Sequence, residues 1–363
     1  HVSEKPDLVL PMRGRPFVVP KDGVIEYQYF VVDPGFEEDK WIERAVVLPG
    51  AREVVHHVIV FVRPPDGTQF EDAGWLAGYV PGRKVSTHSG HARKITAGSK
   101  FVFQMHYAPN GTERKDLTRL AIKFADEENV THRLVTILSM NQDFEIPPND
   151  PSYIVHGDVQ SLPEEATLIS IYPHMHVRGK SFKAFVSKNA PQAVDRNTAK
   201  ESKPCPSEQQ EQILSVPSYD FNWQHNYFLK TPIPIKSLAN LSFEVRFDNS
   251  PNNPFNPNPE ETVFWGAQSW EEMVAIFWGL AIPREASGHL RRMTPEDSTN
   301  VDEKIAAYVK RVLSKMDNNQ DGKIEESEGS VFVRHFNFNL FDWNADGVVT
   351  RKEIEEVAAL LYD

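Results

Sequence analysis

Cysteine is almost missing from this chain: Cys205 stands alone among 363 residues. A single thiol forms no internal disulfide, and it excludes a cysteine-built zinc site or an iron–sulfur cluster. Long apolar runs are missing as well, so no helical membrane span is expected. There is no excess of positive charge. The net charge is −12, and residues 295–363 hold fifteen Asp or Glu against eight Lys or Arg, which accounts for −7 of it. Acidity gathered in the tail points to cation binding there and away from nucleic acid as a partner. The chain opens on the polar His1-Val2-Ser3-Glu4-Lys5 without a basic, apolar leader. Any leader or upstream domain is therefore expected to be absent from this sequence, with His1 a truncation point.

Helical periodicity is lacking until the tail. What fills residues 1–285 instead is short segments rich in β-branched and aromatic residues, bounded by Pro, Gly, Asn and Asp. Residues 26–32, 54–62, 101–106, 120–124, 134–140, 166–172, 181–186 and 241–247 read as strands. Strands at this density without intervening helices predict a mainly β fold of two consecutive antiparallel β-sandwich (jelly-roll) domains. The junction is placed at Pro147-Pro148-Asn149-Asp150-Pro151, giving domains 1–147 and 148–290. After Pro295 the pattern changes. Ile305, Val309, Val312 and Leu313, then Ile354, Val357, Ala358 and Leu361, recur at helical spacing. Residues 296–363 are expected to form a small α-helical EF-hand pair.

The reason lies in two twelve-residue loops. In the first, Asp317, Asn319 and Asp321 supply side-chain oxygens, Lys323 a carbonyl and Glu328 a bidentate carboxylate, with Gly322 at the turn. In the second the same places are held by Asp342, Asn344, Asp346, Val348, Glu353 and Gly347. A hard cation needs six or seven converging oxygens, and this spacing delivers them, so two calcium ions are expected. Ile324 and Val349, both at loop position eight, can pair with each other. The loops start only 25 residues apart, which favours a compact structural calcium site over an opening sensor.

Histidine and methionine form the remaining constellation. His174 and His176 are two apart, so in a strand both imidazoles face one side and can grip one ion. His56 and His57 are adjacent and would need a bulge or strand end to share a metal. His106 follows in Gln104-Met105-His106-Tyr107, and Met273 in Glu271-Glu272-Met273. Imidazole suits copper, zinc, iron and nickel, whereas a thioether selects Cu(I). Each piece alone also reads as structural: strand His–X–His pairs commonly are, and a lone Met is usually core. His88 and His91 could be auxiliary ligands but read as solvated loop residues. The turn-rich stretch 247–257 reads as a rigid loop shaping the second domain's cleft.

Taken in chain order, these residues resemble the copper type II, ascorbate-dependent monooxygenases, which include the peptide-amidating and dopamine β-hydroxylating enzymes, and within them a bacterial branch. The resemblance spans roughly residues 20–285. It implies one copper on His56, His57 and His106 and a second on His174, His176 and Met273. It also implies O2 activation and C–H abstraction at the second copper, with the first storing an electron and Gln104 an electron-transfer candidate. Ascorbate or another one-electron donor, a redox partner or a fused upstream domain, would reload both. The chain departs from the family at Tyr172, where the amidating enzymes carry an arginine, and at Ala275 and Phe277. These three are substrate-cleft candidates, and a peptide C-terminus is not the expected substrate. A small apolar or aromatic molecule is, given Phe277 and Trp278. The alternatives are a non-catalytic copper carrier or electron-transfer protein, and a calcium-stabilised adhesion or scaffold module with structural histidines. Calcium loops imply a periplasmic or secreted setting.

Overall fold

The structure is a computed structural model that describes residues 5–23, 25–65, 74–80, 89–188, 210–266, 268–293, 301–325, 327–328, 338–342 and 346–362. His1, His88, Cys205 and Asn344 lie outside the described residues. The chain is mainly β. It divides into two compact units, His1–Val135 with Glu296–Asp363, and Thr136–Pro295. Residues 147–151, the expected junction, thus belong to the second unit.

The first unit contains strands β1 (Leu8–Pro11), β2 (Phe17–Val19), β3 (Gln28–Val32), β4 (Lys40–Leu48), β5 (Val55–Arg63), β6 (Trp75–Tyr79), β7 (His91–Ile95), β8 (Lys100–Tyr107), β9 (Arg114–Asp116) and β10 (Arg119–Phe124). It also holds the start of β11 (His132–Asn141). One sheet runs β1-β10-β4-β7 and another β3-β8-β5-β6. Val58 and Val60 of β5 and Phe101, Phe103 and Met105 of β8 share one core with Ile42 and Val47 of β4 and Leu120 and Ile122 of β10. The inner faces of the two sheets therefore pack as a sandwich. Each such side chain taken out of water contributes about 1.5–3 kcal/mol.

The second unit contains β12 (Glu145–Ile146), β13 (Tyr153–Asp158), β14 (Ser161–Pro163), β15 (Thr167–His174), β16 (Gly179–Lys188), β17 (Gln210–Val216), β18 (Tyr227–Pro234), β19 (Leu238–Phe247), β20 (Val263–Phe264), β21 (Val274–Pro283) and β22 (Leu290–Arg292). One sheet has the order β13-β19-β16-β17, and β15 lies between β21 and β18 in the other. Strand β21 is buried almost throughout. Its Trp278 donates its indole N–H to Ser139 Oγ at 2.9 Å and approaches Phe243 of β19 at 6.4 Å. Phe243 stands directly across from Gly157 of β13, and its ring occupies the space a β-carbon would need there.

In the tail, α1 (Val301–Met316), β23 (Lys323–Glu325), α2 (Phe338–Phe341), β24 (Val348–Thr350) and α3 (Arg351–Tyr362) follow one another. Val309, Ile324, Phe338, Phe341, Val349 and Ile354 make a core of their own, with Ile305, Val312, Leu313 and Val357 packed on it. Ile324 and Val349 are antiparallel partners between β23 and β24. The expected EF-hand pair is corrected. It calls for a helix on both sides of both loops, and among the described residues only α1, the single turn α2 and α3 are helical. In the sequence only residues 329–341 separate the two loops, a short interval for two helices of ordinary length.

Candidate functional site

Two histidine-centred constellations emerge, one in each unit. In the first, β5 pairs β8 antiparallel, with Val55 opposite Tyr107 but His57 opposite His106. The register slips by one residue at His56, which is the bulge that two adjacent histidines need if they are to share a ligand. The three imidazoles consequently converge. His57 Nδ1 lies 3.1 Å from His56 Nδ1 and 3.4 Å from His106 Nδ1. One ligand nitrogen from each falls within 4.8 Å of the others, and no other such histidine, cysteine or carboxylate group occurs among the described residues. Tyr27 packs on two of the rings, 5.6 Å from His57 and 4.9 Å from His106. Gln104, two residues before His106, donates from its amide to Tyr29 Oη at 2.9 Å. Burial pushes the Tyr29 phenol up to about 12, so it stays a neutral hydrogen-bonding group. Three imidazole nitrogens at this spacing fit a late first-row metal ion.

In the second unit, His174 ends β15 and pairs with Ala275 of β21. Continuing that antiparallel register by two residues would set His176 opposite Met273. The rings of His174 and His176 stand 5.2 Å apart and nearly perpendicular, at 84°. The segment joining them and the turn that follows, closed by the Gly179 N–H on the His176 carbonyl, are gripped from two directions. Tyr219 Oη accepts from the Met175 N–H at 3.0 Å and donates to the Met175 carbonyl at 2.8 Å. The fully buried Glu272 accepts from the backbone N–H groups of His176 at 2.9 Å, Met273 at 3.2 Å and Arg178 at 2.6 Å. One carboxyl group thus ties His176 to Met273. Burial pushes it up to about 8, against the pull of those three N–H groups and of Arg178.

Arg178 in turn is held by the turn-rich loop. Its Nε donates to Asn249 Oδ1 at 2.9 Å and its Nη1 to the Trp270 carbonyl at 2.8 Å. Asn249 completes its own bonding with Asn256 and the carbonyls of Pro147 and Glu261. Asn249 thus ties the arginine to the loop.

The second-unit imidazoles are oriented through Nδ1. His174 Nδ1 lies 2.7 Å from Gln224 Oε1, and His176 Nδ1 lies 3.3 Å from the Glu271 carbonyl. Burial lowers the His174 pKa, with the Gln224 bond opposing it, so the ring is neutral and able to act as a ligand. Tyr172, Ala275 and Phe277 are all buried beside His174, with the two aromatic rings edge-on at 5.7 Å. His91, by contrast, stacks on His132 at 4.8 Å and 8°.

The tail loops have the internal bonding of preformed cation loops. Asp317 accepts from the N–H groups of Asp321 and Gly322, Asn319 from Asp321, and Asp321 from Lys323. Glu328 accepts from Asn318, Asn319 and Glu325. In the second loop Asp342 accepts from Asp346 and Gly347, Asp346 from Val348, and Glu353 Oε2 from Thr350. Gly322 and Gly347 adopt φ of 84° and 83°, conformations that glycine takes without strain. Glu353 Oε1 is buried with no hydrogen-bond partner among the described residues. An orphaned carboxylate oxygen at loop position twelve is what a calcium ligand looks like without its ion.

No protein-family model matches the chain, and no curated protein matches it. Among solved structures it is similar to the STIV MCP at 8% identity, covering 77% of this chain and 96% of that one, with a TM-score of 0.30. It is similar to PBCV-1 VP54 fitted into a reconstruction of the virophage Sputnik at 8% identity, 80% and 96% coverage, and a TM-score of 0.24. A third is infectious bursal disease virus VP2, at 8% identity, 80% and 77% coverage, and a TM-score of 0.22. Likeness at this level carries no argument about what the chain does. The expected membership of the copper type II ascorbate-dependent monooxygenases is corrected, since no family model and no curated protein of that family matches the chain. The spacing of a few histidines and one methionine spoke for that family, but so few positions do not carry family membership.

Gln224, Tyr219, Arg178 and the role of Glu272 were not visible in the sequence. Gln224 lies 50 residues from His174 in the run Phe221-Asn222-Trp223-Gln224-His225, and no local spacing links the two. No described helix is long and apolar enough to cross a membrane.

Proposed function

We propose that the chain is a copper-dependent oxidoreductase that hydroxylates a C–H bond of a small apolar substrate with O2 and a one-electron donor such as ascorbate. The observation that carries this reading is the bulge at His56, which gathers three imidazoles from two strands into one ligand-sized cluster. Bulges are over-represented beside active sites, where they re-aim a side chain. The second centre supports it: His174 ends β15, and His176 two residues on is tied to Met273 through Glu272. Copper fits both donor sets. Three imidazoles accept either oxidation state, and a thioether beside two imidazoles favours Cu(I), so the two centres are chemically distinct. Bound copper would supply one-electron redox chemistry with O2. The overall conversion balances as R–H, O2, two donor electrons and two protons giving R–OH and water.

The protein's own part is to hold and to exclude. Burial disfavours the charged form of His174, and the clamps by Tyr219 and Glu272 hold residues 175–178 before any metal arrives, which lowers the cost of organising the site. Tyr172, Ala275 and Phe277 give the neighbourhood of His174 an apolar character, which suits an uncharged substrate. The tail loops hold two calcium ions and stabilise the helical segment. Calcium at such loops suits a periplasmic or secreted setting.

The test is reconstitution with copper, followed by oxygen uptake with ascorbate and a panel of small alkyl-aromatic compounds. Two coppers per chain, substrate-dependent uptake and 18O in the product support the reading. Copper binding without substrate-dependent uptake makes the chain a copper carrier or electron-transfer protein. No copper uptake returns the histidines to a structural role.

A further inference from the structure

We infer that Gln224 is a positioning residue for the His174, His176 and Met273 centre, and that it fixes which nitrogen of His174 is offered to the metal. The inference rests on the reading of that centre as a copper site.

Gln224 is buried at 2% exposure, and its amide direction is set by its own bond. The Nε2 group donates to the Phe221 carbonyl at 2.8 Å, which can only accept. The opposite end of the amide must then be oxygen. That oxygen faces Tyr172 Oη at 3.1 Å and His174 Nδ1 at 2.7 Å. A carbonyl oxygen cannot donate, so at 2.7 Å the hydrogen must reside on His174 Nδ1. A neutral imidazole carries one N–H, which leaves the lone pair on Nε2. The opposite tautomer would set two lone pairs against each other in a buried place. The Glu271 carbonyl faces His176 Nδ1 at 3.3 Å and selects the same form there. Both rings therefore present Nε2.

This arrangement does more than hold a ring in place. A ligating imidazole whose remote N–H is hydrogen-bonded is a more basic ligand, and its orientation is set before binding. Gln224 spends its two acceptor positions on Tyr172 and His174, so it also couples the ligand to a residue beside the proposed substrate position.

The experiment has a metal-free part and a metal-loaded part. On copper-free protein labelled with 15N at histidine, long-range proton–nitrogen correlation reports each tautomer directly. The expected result is His174 as Nδ1–H in the native chain, with loss of that single form in Gln224→Leu. On copper-loaded protein, competition with a chromophoric Cu(I) chelator should show Gln224→Leu binding roughly 10- to 100-fold more weakly at this centre. Its affinity at His56, His57 and His106 should be unchanged, which separates the effect from general misfolding. A native His174 in the Nε2–H form overturns the inference without needing any variant to fold. Equal Cu(I) affinity in native protein and Gln224→Leu overturns it as well. A native chain that shows the Nδ1–H form but takes up no copper at His174 overturns the copper reading on which the inference rests.

Discussion

Replacing Glu272 by leucine removes the acceptor that three backbone N–H groups share, those of His176, Met273 and Arg178. Glu272 is fully buried, so water cannot take over. Each buried donor left without a partner costs about 1–3 kcal/mol, and three together cost roughly 3–9 kcal/mol. The Arg178 guanidinium keeps its bonds to Asn249 and to the Trp270 carbonyl, so the loss falls on the turn and on Met273. In a unit of this size each kcal/mol moves the melting temperature by about 2–4 °C, so Glu272→Leu should melt at least about 6 °C lower. Glu272→Gln retains one oxygen and should lose about 1–3 kcal/mol. Differential scanning calorimetry on copper-free, chelator-treated protein reads both values without a contribution from ligand binding. A leucine variant melting within about 2 °C of the native chain would refute the claim that this carboxyl holds the turn.

Three further outcomes are expected. Gly157→Ala drives a methyl into the Phe243 ring, which cannot swing aside because Phe182 and Trp278 flank it; denaturant titration should show a loss of about 1–3 kcal/mol, and no loss would mean the pair is loosely packed. Met273→Ile removes the thioether, so elemental analysis after reconstitution should fall from two coppers per chain to one, with the His56, His57 and His106 centre still loaded; two retained coppers would remove Met273 from the ligand set. Calcium at about 100 times its dissociation constant should stabilise the tail by roughly 2.7 kcal/mol, and Glu353→Gln should shrink that response; a melting curve indifferent to calcium would mean the loops are acidic turns only.

The strands were legible because their cause is local. Residues 54–62 and 101–106 are dense in β-branched and aromatic side chains, and they form β5 and β8 as adjacent partners. The tail helices were legible for the same reason, since Ile305, Val309 and Val312, then Ile354 and Val357, recur at helical spacing and meet in one core. The loop motif of the tail is strong, but it does not by itself supply the helices of an EF-hand pair, and among the described residues only α1, the single turn α2 and α3 are helical. At the candidate sites, the two histidine pairs could be named from type and spacing, and so could the need for a bulge at His56 and His57, whereas His106 and Met273 were joined to them only through the resemblance. What could not be read was the scaffolding. Tyr219 reaches Met175 across 44 residues and Glu272 reaches His176 across 96. These bonds depend on strand pairing that no window of sequence contains. The family resemblance went further than its residues allowed, because isolated ligand types recur wherever imidazole and thioether are useful.

Under the proposed function, two clusters of side chains, separate along the chain, each hold one copper ion. Anomalous diffraction at the copper edge, on crystals of reconstituted protein, tests this most directly. Two peaks are predicted, one about 2 Å from a nitrogen of each of His56, His57 and His106, the other at the same distance from Nε2 of His174 and of His176 with the Met273 sulfur adjacent. Crystals with no copper peak at either cluster would contradict it.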